Sequence, residues 1–312
     1  MREFRFGFNF FDIPSRETFV EVCRKAEGLG YDVALVPDHL GAPAPFPTMV
    51  AAAEATERLR VGTLVLNVPF WNAHLLAREV ATTDVLTGGR VELGLGSGHM
   101  KWEFDAAGLE WRPFGARAEL LEETIEELGR LFAGPDYPER AGLRETYGVA
   151  ELKPVQRRGF GGSGPPLLVG GTGDRVLRLA ARYADIVSFG GAYQVKGKPP
   201  GTFRIGTAAE AEDRVRFVRG LLGDRADQVE SSVLVQGVMV TDDRRAEAAK
   251  LAAGPLAPMT AEEILETPFL MLGTPAQLAE QLVERRERFG FSYITVHGPY
   301  LEALGPVIER LR

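Results

Sequence analysis

Eight short apolar runs, each followed by a stretch of helical periodicity, constrain this chain more than any other feature. FRFGFNF (4–10) precedes a periodic segment at 16–30 in which Phe19, Val22, Cys23 and Ala26 share one face. DVALVP (32–37) leads to a helix near 47–57, RVGTLVLN (60–67) to one at 73–87, and RVELGLG (90–96) to one at 119–132. PPLLVGG (165–171), ADIVSFGG (184–191), SSVLVQGVMVT (231–241) and SYITVHG (292–298) supply four more strands. Strands that are apolar nearly throughout are buried on both faces, as in a parallel sheet wrapped by helices. Eight such β/α units within 312 residues predict a closed (β/α)8 TIM barrel spanning 1–312 as one domain, with an open doubly wound sheet as the alternative. Two stretches, 134–164 and 192–206, break the rhythm and read as long insertion loops at the C-terminal mouth.

Charge narrows the partners. A formal charge of -7 and a pI near 5.4 oppose a nucleic-acid or anionic-membrane surface, so a small molecule is expected. Cys23 stands alone, which rules out an intramolecular disulfide and a Cys-rich zinc site and fits a reducing cytoplasm. MREFRFGFNF lacks the apolar core of a secretory signal, and no run approaches the roughly 18 apolar residues of a spanning helix.

In a barrel of this kind the chemistry sits at the C-terminal ends of the strands. Those ends carry Asn9, Phe10 and Phe11; Asp38 and His39; Asn67, Phe70 and Trp71; Gly96, Ser97, Gly98 and His99; Gly170, Gly171, Thr172 and Gly173; Phe189 and Gly190; and His297. Three of the four histidines fall on this rim, but no pair has the short helical spacing of a metal motif, and no metal is expected. Asp38 beside His39 reads either as a cap for the following turn or as an ionisable pair at a strand end. GGTGDRVLRLAARYAD (170–185) runs from glycines into an amphipathic helix, whose free N–H groups and dipole suit a phosphate; a plain turn capped by Thr172 or Asp174 is the alternative. GLGSG (94–98) fails as a dinucleotide fingerprint, since no clear helix opens after it, yet it permits close approach of a flat ligand. Of the aromatic residues near these loops, including Phe104 and Trp111, about half are expected in the core; Phe10, Phe11, Trp71, Trp102 and Phe189 are the pocket candidates.

PDHLG, GTLVLNVPFWNAHLLARE, GGRVELGLGSG, PPLLVGGTGDRVLRLAARYAD and LGTPAQLAEQL together resemble the bacterial luciferase-like flavin and deazaflavin oxidoreductase superfamily, in particular its branch dependent on coenzyme F420. The resemblance implies a homodimeric barrel with the cofactor ring at the mouth and its phosphate on Gly170, Gly171, Thr172 and Gly173. It further implies a non-prolyl cis peptide at Leu64–Val65 behind the ring, Asn67 bonded to the cofactor, and Gly96, Ser97 and Gly98 along the opposite edge. Asp38 and His39 match that branch's Asp-His pair, so His39 is the expected proton donor and acceptor for hydride transfer, tuned by Asp38, with His99 as a second acid or base. Related sugar-phosphate dehydrogenases have a glutamate where His99 stands and a lysine after the sixth strand, where this chain offers only Lys196 and Lys198 further along. A mostly apolar or aromatic small organic substrate is therefore expected. An FMN-dependent monooxygenase using reduced flavin and O2, and a non-catalytic flavin- or deazaflavin-binding protein, are the alternative readings.

Overall fold

The computed structural model describes residues 2–135 and 137–312. Its strands are β1 (Arg5–Asn9), β2 (Val33–Val36), β3 (Arg60–Thr63), β4 (Leu66–Asn67), β5 (Val91–Gly96), β6 (Leu167–Gly170), β7 (Ile186–Phe189), β8 (Ala192–Gln194), β9 (Phe203–Ile205), β10 (Glu230–Val235), β11 (Gly237–Val240), β12 (Leu270–Gly273) and β13 (Phe291–His297). The main sheet runs β3-β2-β1-β13-β10-β7-β6-β5-β4, and pairing of β3 with β5 closes it. All its ladders are parallel. Because β3 and β4 form one interrupted stave, this is the eight-stave parallel barrel expected from the repeats.

The interruption is a bulge. Gly62 pairs with Glu92 and Leu66 with Leu95, so the 60–67 stave carries one more residue than its neighbour across the same span. Leu64 and Val65 occupy the bulge, joined by a non-prolyl cis peptide.

Inside the barrel, polarity is layered. At the N-terminal end Glu92 is buried and binds Arg5 as well as Arg60, whose Nε lies 2.7 Å from it; Arg5 also reaches Glu230 at 2.6 Å and lies over the Tyr293 ring. Above this charged layer Val33, Leu35, Leu168, Ile186 and Tyr293 pack together with Leu64 and Val65. The outer core, between staves and helices, is built from side chains such as Phe6, Phe8, Phe10, Phe19 and Cys23.

Three local expectations need correction. The 231–241 run is not one strand: β10 leaves the barrel at Gln236, whose N–H donates to Phe269, and β11 pairs in parallel with β12 outside it. The 192–206 stretch contains an antiparallel hairpin, β8 with β9, rather than an unstructured loop. A helix at Lys101–Ala107 opens shortly after GLGSG, where none was expected, because Gly108 in the left-handed region ends a single two-turn segment too short for periodicity to reveal. In the 134–164 excursion Asp136 lies outside the described residues; the rest includes a helix at Ala141–Tyr147, and Asp84 pins its far end by accepting from the Val155 and Gln156 N–H groups.

Burial pushes the Glu92 carboxyl up, and Arg5 and Arg60 outweigh it, leaving the group below the ordinary glutamate range. Its stabilising effect is complete above the unfolded value of about 4.3 and is lost as pH falls through the lower folded value. Glu92→Ala removes the buried carboxylate shared by two guanidinium groups, leaving Arg5 with Glu230 and Arg60 with only the Val91 carbonyl and Gln156, and is expected to cost about 3 kcal/mol in urea denaturation; a loss below about 1 kcal/mol would contradict the assigned role.

Candidate active site

The C-terminal ends of the staves surround a cavity of about 780 Å³. Its wall includes Asp38 and His39 after β2, Leu64 and Val65 in the bulge, Asn67 at the end of β4, Gly96, Ser97, Gly98 and His99 after β5, and Gly170, Gly171, Thr172 and Gly173 after β6. Phe11 also reaches it. These groups lie far apart in sequence and meet because parallel staves all end at the same rim.

The remaining aromatic candidates sit elsewhere. Phe10 and Phe189 are only 5% and 3% exposed; Phe10 packs on Phe8 and Phe19, and Phe189 on Phe291, so both belong to the outer core. Both occupy strand-end positions whose side chains alternate away from the lumen. Trp71 lies behind the wall against Phe46, and Trp102 is 53% exposed on the outer surface of its helix. The aromatic wall is instead supplied by Trp111, Phe114 and Phe203, with Met100 beside them. Trp111 stood among the aromatic residues of the sequence, but only the helix at Lys101–Ala107 and the hairpin show how these side chains turn inward.

Asp38 and His39 have separate partners. Asp38 Oδ2 accepts from the Asn67 backbone N–H at 3.0 Å and from Trp71 Nε1–H at 2.8 Å. Burial raises the Asp38 pKa, partly offset by those two bonds and by His39. Asp38 and His39 retain a charge interaction, while the close partner of the imidazole is another group: His39 Nδ1 lies 2.8 Å from Oε1 of Glu103, a residue not singled out in the sequence. Periodicity gives Glu103 no distinguishing signal, since its importance arises from the turn that brings Lys101–Ala107 over the end of β2.

His99 stands edge-on to His39, with ring centroids 5.2 Å apart, and contacts Phe203 on its other side. Although its ring opens into the cavity, the surrounding protein, followed by His39 and Arg117, pushes its pKa down to about 4. Arg117 is buried, stacks 3.6 Å from the Trp111 ring centre and donates to the Ser97 carbonyl at 3.1 Å, tying the β5 turn to the helix at Phe114–Ala133. His297 lies within 3.2 Å of both Asn9 and Gln236 across the far wall.

Several features suit a flat ligand with a phosphate tail. A Cβ on Gly96 would fall 2.5 Å from Val65 Cγ2, and one on Gly98, whose φ is +74°, would fall 2.4 Å from Asn67 Oδ1. Backbone therefore comes close to the bulge and leaves a narrow slot. Asn67 Oδ1 is buried with no hydrogen-bond partner, a state that a ligand donor would relieve. At the other end, the helix Asp174–Tyr183 starts at Gly173 without a side-chain cap, leaving its first N–H groups for an anion.

An F420-dependent glucose-6-phosphate dehydrogenase of Amycolatopsis mediterranei (strain U-32) is 38% identical over 122 residues, or 36% of this chain and 37% of that protein. The protein of the same description from Microbacterium testaceum (strain StLB037) is 32% identical over 184 residues, covering 56% of this chain and 51% of its own. The chain thus spans about half or less of the length of these curated relatives. Among solved structures, the coenzyme F420 dependent tetrahydromethanopterin reductase from Methanopyrus kandleri superposes with a TM-score of 0.71 at 19% identity, covering 100% of both chains. A long-chain alkane monooxygenase gives 0.70 at 14% identity, covering 100% of this chain and 91% of the other. Such identities speak to the fold, which is the same barrel. Residues 12–200 match the luciferase-like monooxygenase family, more than half of the chain, and the protein belongs to that family.

Proposed function

We propose that the protein is an F420-dependent oxidoreductase that moves a hydride between the deazaflavin and a mostly apolar or aromatic small organic substrate. The observation that carries this reading is the position of His39: a histidine held by a buried carboxylate, on the same cavity wall as the glycine-lined slot behind Leu64 and Val65. The curated relatives, described as F420-dependent dehydrogenases, support the choice of cofactor.

In this reading Leu64 and Val65 back the ring, Asn67 offers its unpaired oxygen to a donor on it, and Gly96, Ser97 and Gly98 run along its edge. Thr172, Gly173 and the uncapped start of the helix Asp174–Tyr183 present N–H groups to the phosphate, while Gly170 and Gly171, whose N–H donates to the Ser188 carbonyl, let the chain pass close beneath it. When bound, the deazaflavin supplies a carbon that accepts or returns a hydride, while the protein governs orientation and protons. Trp111, Phe114 and Phe203 enclose an apolar substrate and keep water from the reacting face. His39 takes or returns the substrate proton through Nε2, the ring nitrogen not directed at Glu103. His99 remains neutral at working pH and serves as a hydrogen-bonding wall beside it.

The same reading includes a homodimer in the cytoplasm. Exposed Leu75, Val85 and Leu86 on the helix Ala73–Leu86 provide an apolar face for a second copy.

Cofactor titration by fluorescence tests the assignment: F420 is expected to bind and FMN to bind at least tenfold more weakly. Tight FMN binding, no F420 binding and oxygen consumption with reduced FMN would replace it with a flavin monooxygenase. With an oxidisable substrate in hand, His39→Ala is expected to lower kcat by about 10²–10⁴-fold; unchanged turnover would remove its role. An NMR pH titration should place the His99 ring near 4, neutral throughout pH 6–8, whereas ionisation at its ordinary 6.5 would contradict its setting.

A further inference from the structure

We infer that Glu103 is the positioning residue that fixes the tautomer of His39 and offsets the charge His39 acquires when it takes a proton; this rests on the proton role proposed above. Glu103 is only 1% exposed, yet its Oε1 serves two donors from one loop. The Leu40 N–H donates to it at 3.2 Å, and His39 Nδ1 lies 2.8 Å away. A carboxylate oxygen accepts, so the neutral imidazole must carry its proton on Nδ1. The backbone bond locks the residue next to His39 against the same oxygen, so that both ring rotation and loop movement are restrained from one point. Nε2 is then the acceptor available to a ligand.

The other charged or titratable groups near the pair do not perform this task. Asp38, its chain neighbour, commits Oδ2 to Asn67 and Trp71. His99, from the β5 turn, meets His39 edge-on through ring contact. Arg117, on the helix Phe114–Ala133, is directed to the carbonyls of Ser97 and Arg112, and Lys198 lines the cavity from the turn after β8. Glu103 is therefore the anion in contact with His39.

In the oxidative direction the balance is simple. With the oxidised deazaflavin bound as two-electron acceptor, oxidation of a carbinol would give that acceptor the C–H electron pair as hydride and His39 Nε2 the O–H proton as the C=O bond forms. The resulting imidazolium would lie against the buried Glu103 carboxylate, where the attraction is stronger than between two groups in bulk solvent. In reduction the same proton returns from Nε2 to the alkoxide oxygen.

Nitrogen-15 NMR of the ligand-free protein reads the tautomer without any turnover. At a pH where His39 is neutral, the wild type is expected to show Nδ1 protonated and Nε2 bare; the opposite pattern overturns the inference even if no variant folds. Glu103→Gln is expected to mix the two tautomers. Glu103→Asp is expected to restore part of the charge effect and to leave KM less affected than kcat. If Glu103→Gln leaves the tautomer unchanged, or Asp38→Asn changes it instead, Glu103 does not set it and the inference fails. Failure of F420 to bind would remove the proposed reaction but leave the NMR result to decide on Glu103 alone.

Discussion

Closure of β3 and β4 onto β5 is the constraint on which the rest of the molecule depends. Once that contact closes the sheet, every parallel stave delivers its C-terminal end to one rim, and residues from opposite parts of the chain become neighbours. The closing stave cannot be regular, since it carries one residue more than β5 over the same span. The extra length forms the bulge that projects Leu64 and Val65 toward the cavity, and Gly96 is small enough for that bulge to pass. Barrel closure and slot formation are thus one packing problem.

The lumen is filled from the bottom in a definite order. Glu92 with Arg5 and Arg60 forms a charged floor, an apolar layer lies above it, and the ligand cavity occupies the top. Ion pairs at a buried floor add little net stability compared with a well-packed apolar equivalent, but they penalise any register that separates them. This division leaves the open end free to hold groups that are poor for packing: an orphaned Asn67 oxygen, an uncapped helix start and a neutral histidine exposed to the cavity.

Legibility followed sequence locality. The apolar strand runs and amphipathic helices are periodic over many residues, so most of the eight-unit plan could be read directly, and the rim positions of Asp38, His39, Asn67, Gly96 and the 170–173 glycines came with it. Departures arose where a contact crosses between distant segments. Nothing local tells that Gln236 ends one strand and Gly237 begins another, because the cause is Phe269 and β12. Adjacent residues drew Asp38 to His39, yet strand geometry sends the carboxylate to Asn67 and Trp71 and leaves His39 to a helix more than sixty residues away. Phe10 and Phe189 were read as mouth residues from their place at strand ends, but alternation along a strand turns them into the outer core.

The central claim is that this rim holds a deazaflavin with its reacting face toward His39. A crystal structure of the protein soaked with F420 measures this most directly. The account predicts the ring against Leu64 and Val65, the phosphate on the N–H groups of Thr172, Gly173 and the first turn of the helix Asp174–Tyr183, and His39 Nε2 within about 2.6–3.2 Å of the oxygen of a bound alcohol or of one intervening water. A ring placed outside this slot, or a phosphate bound away from the 170–173 turn, would contradict it.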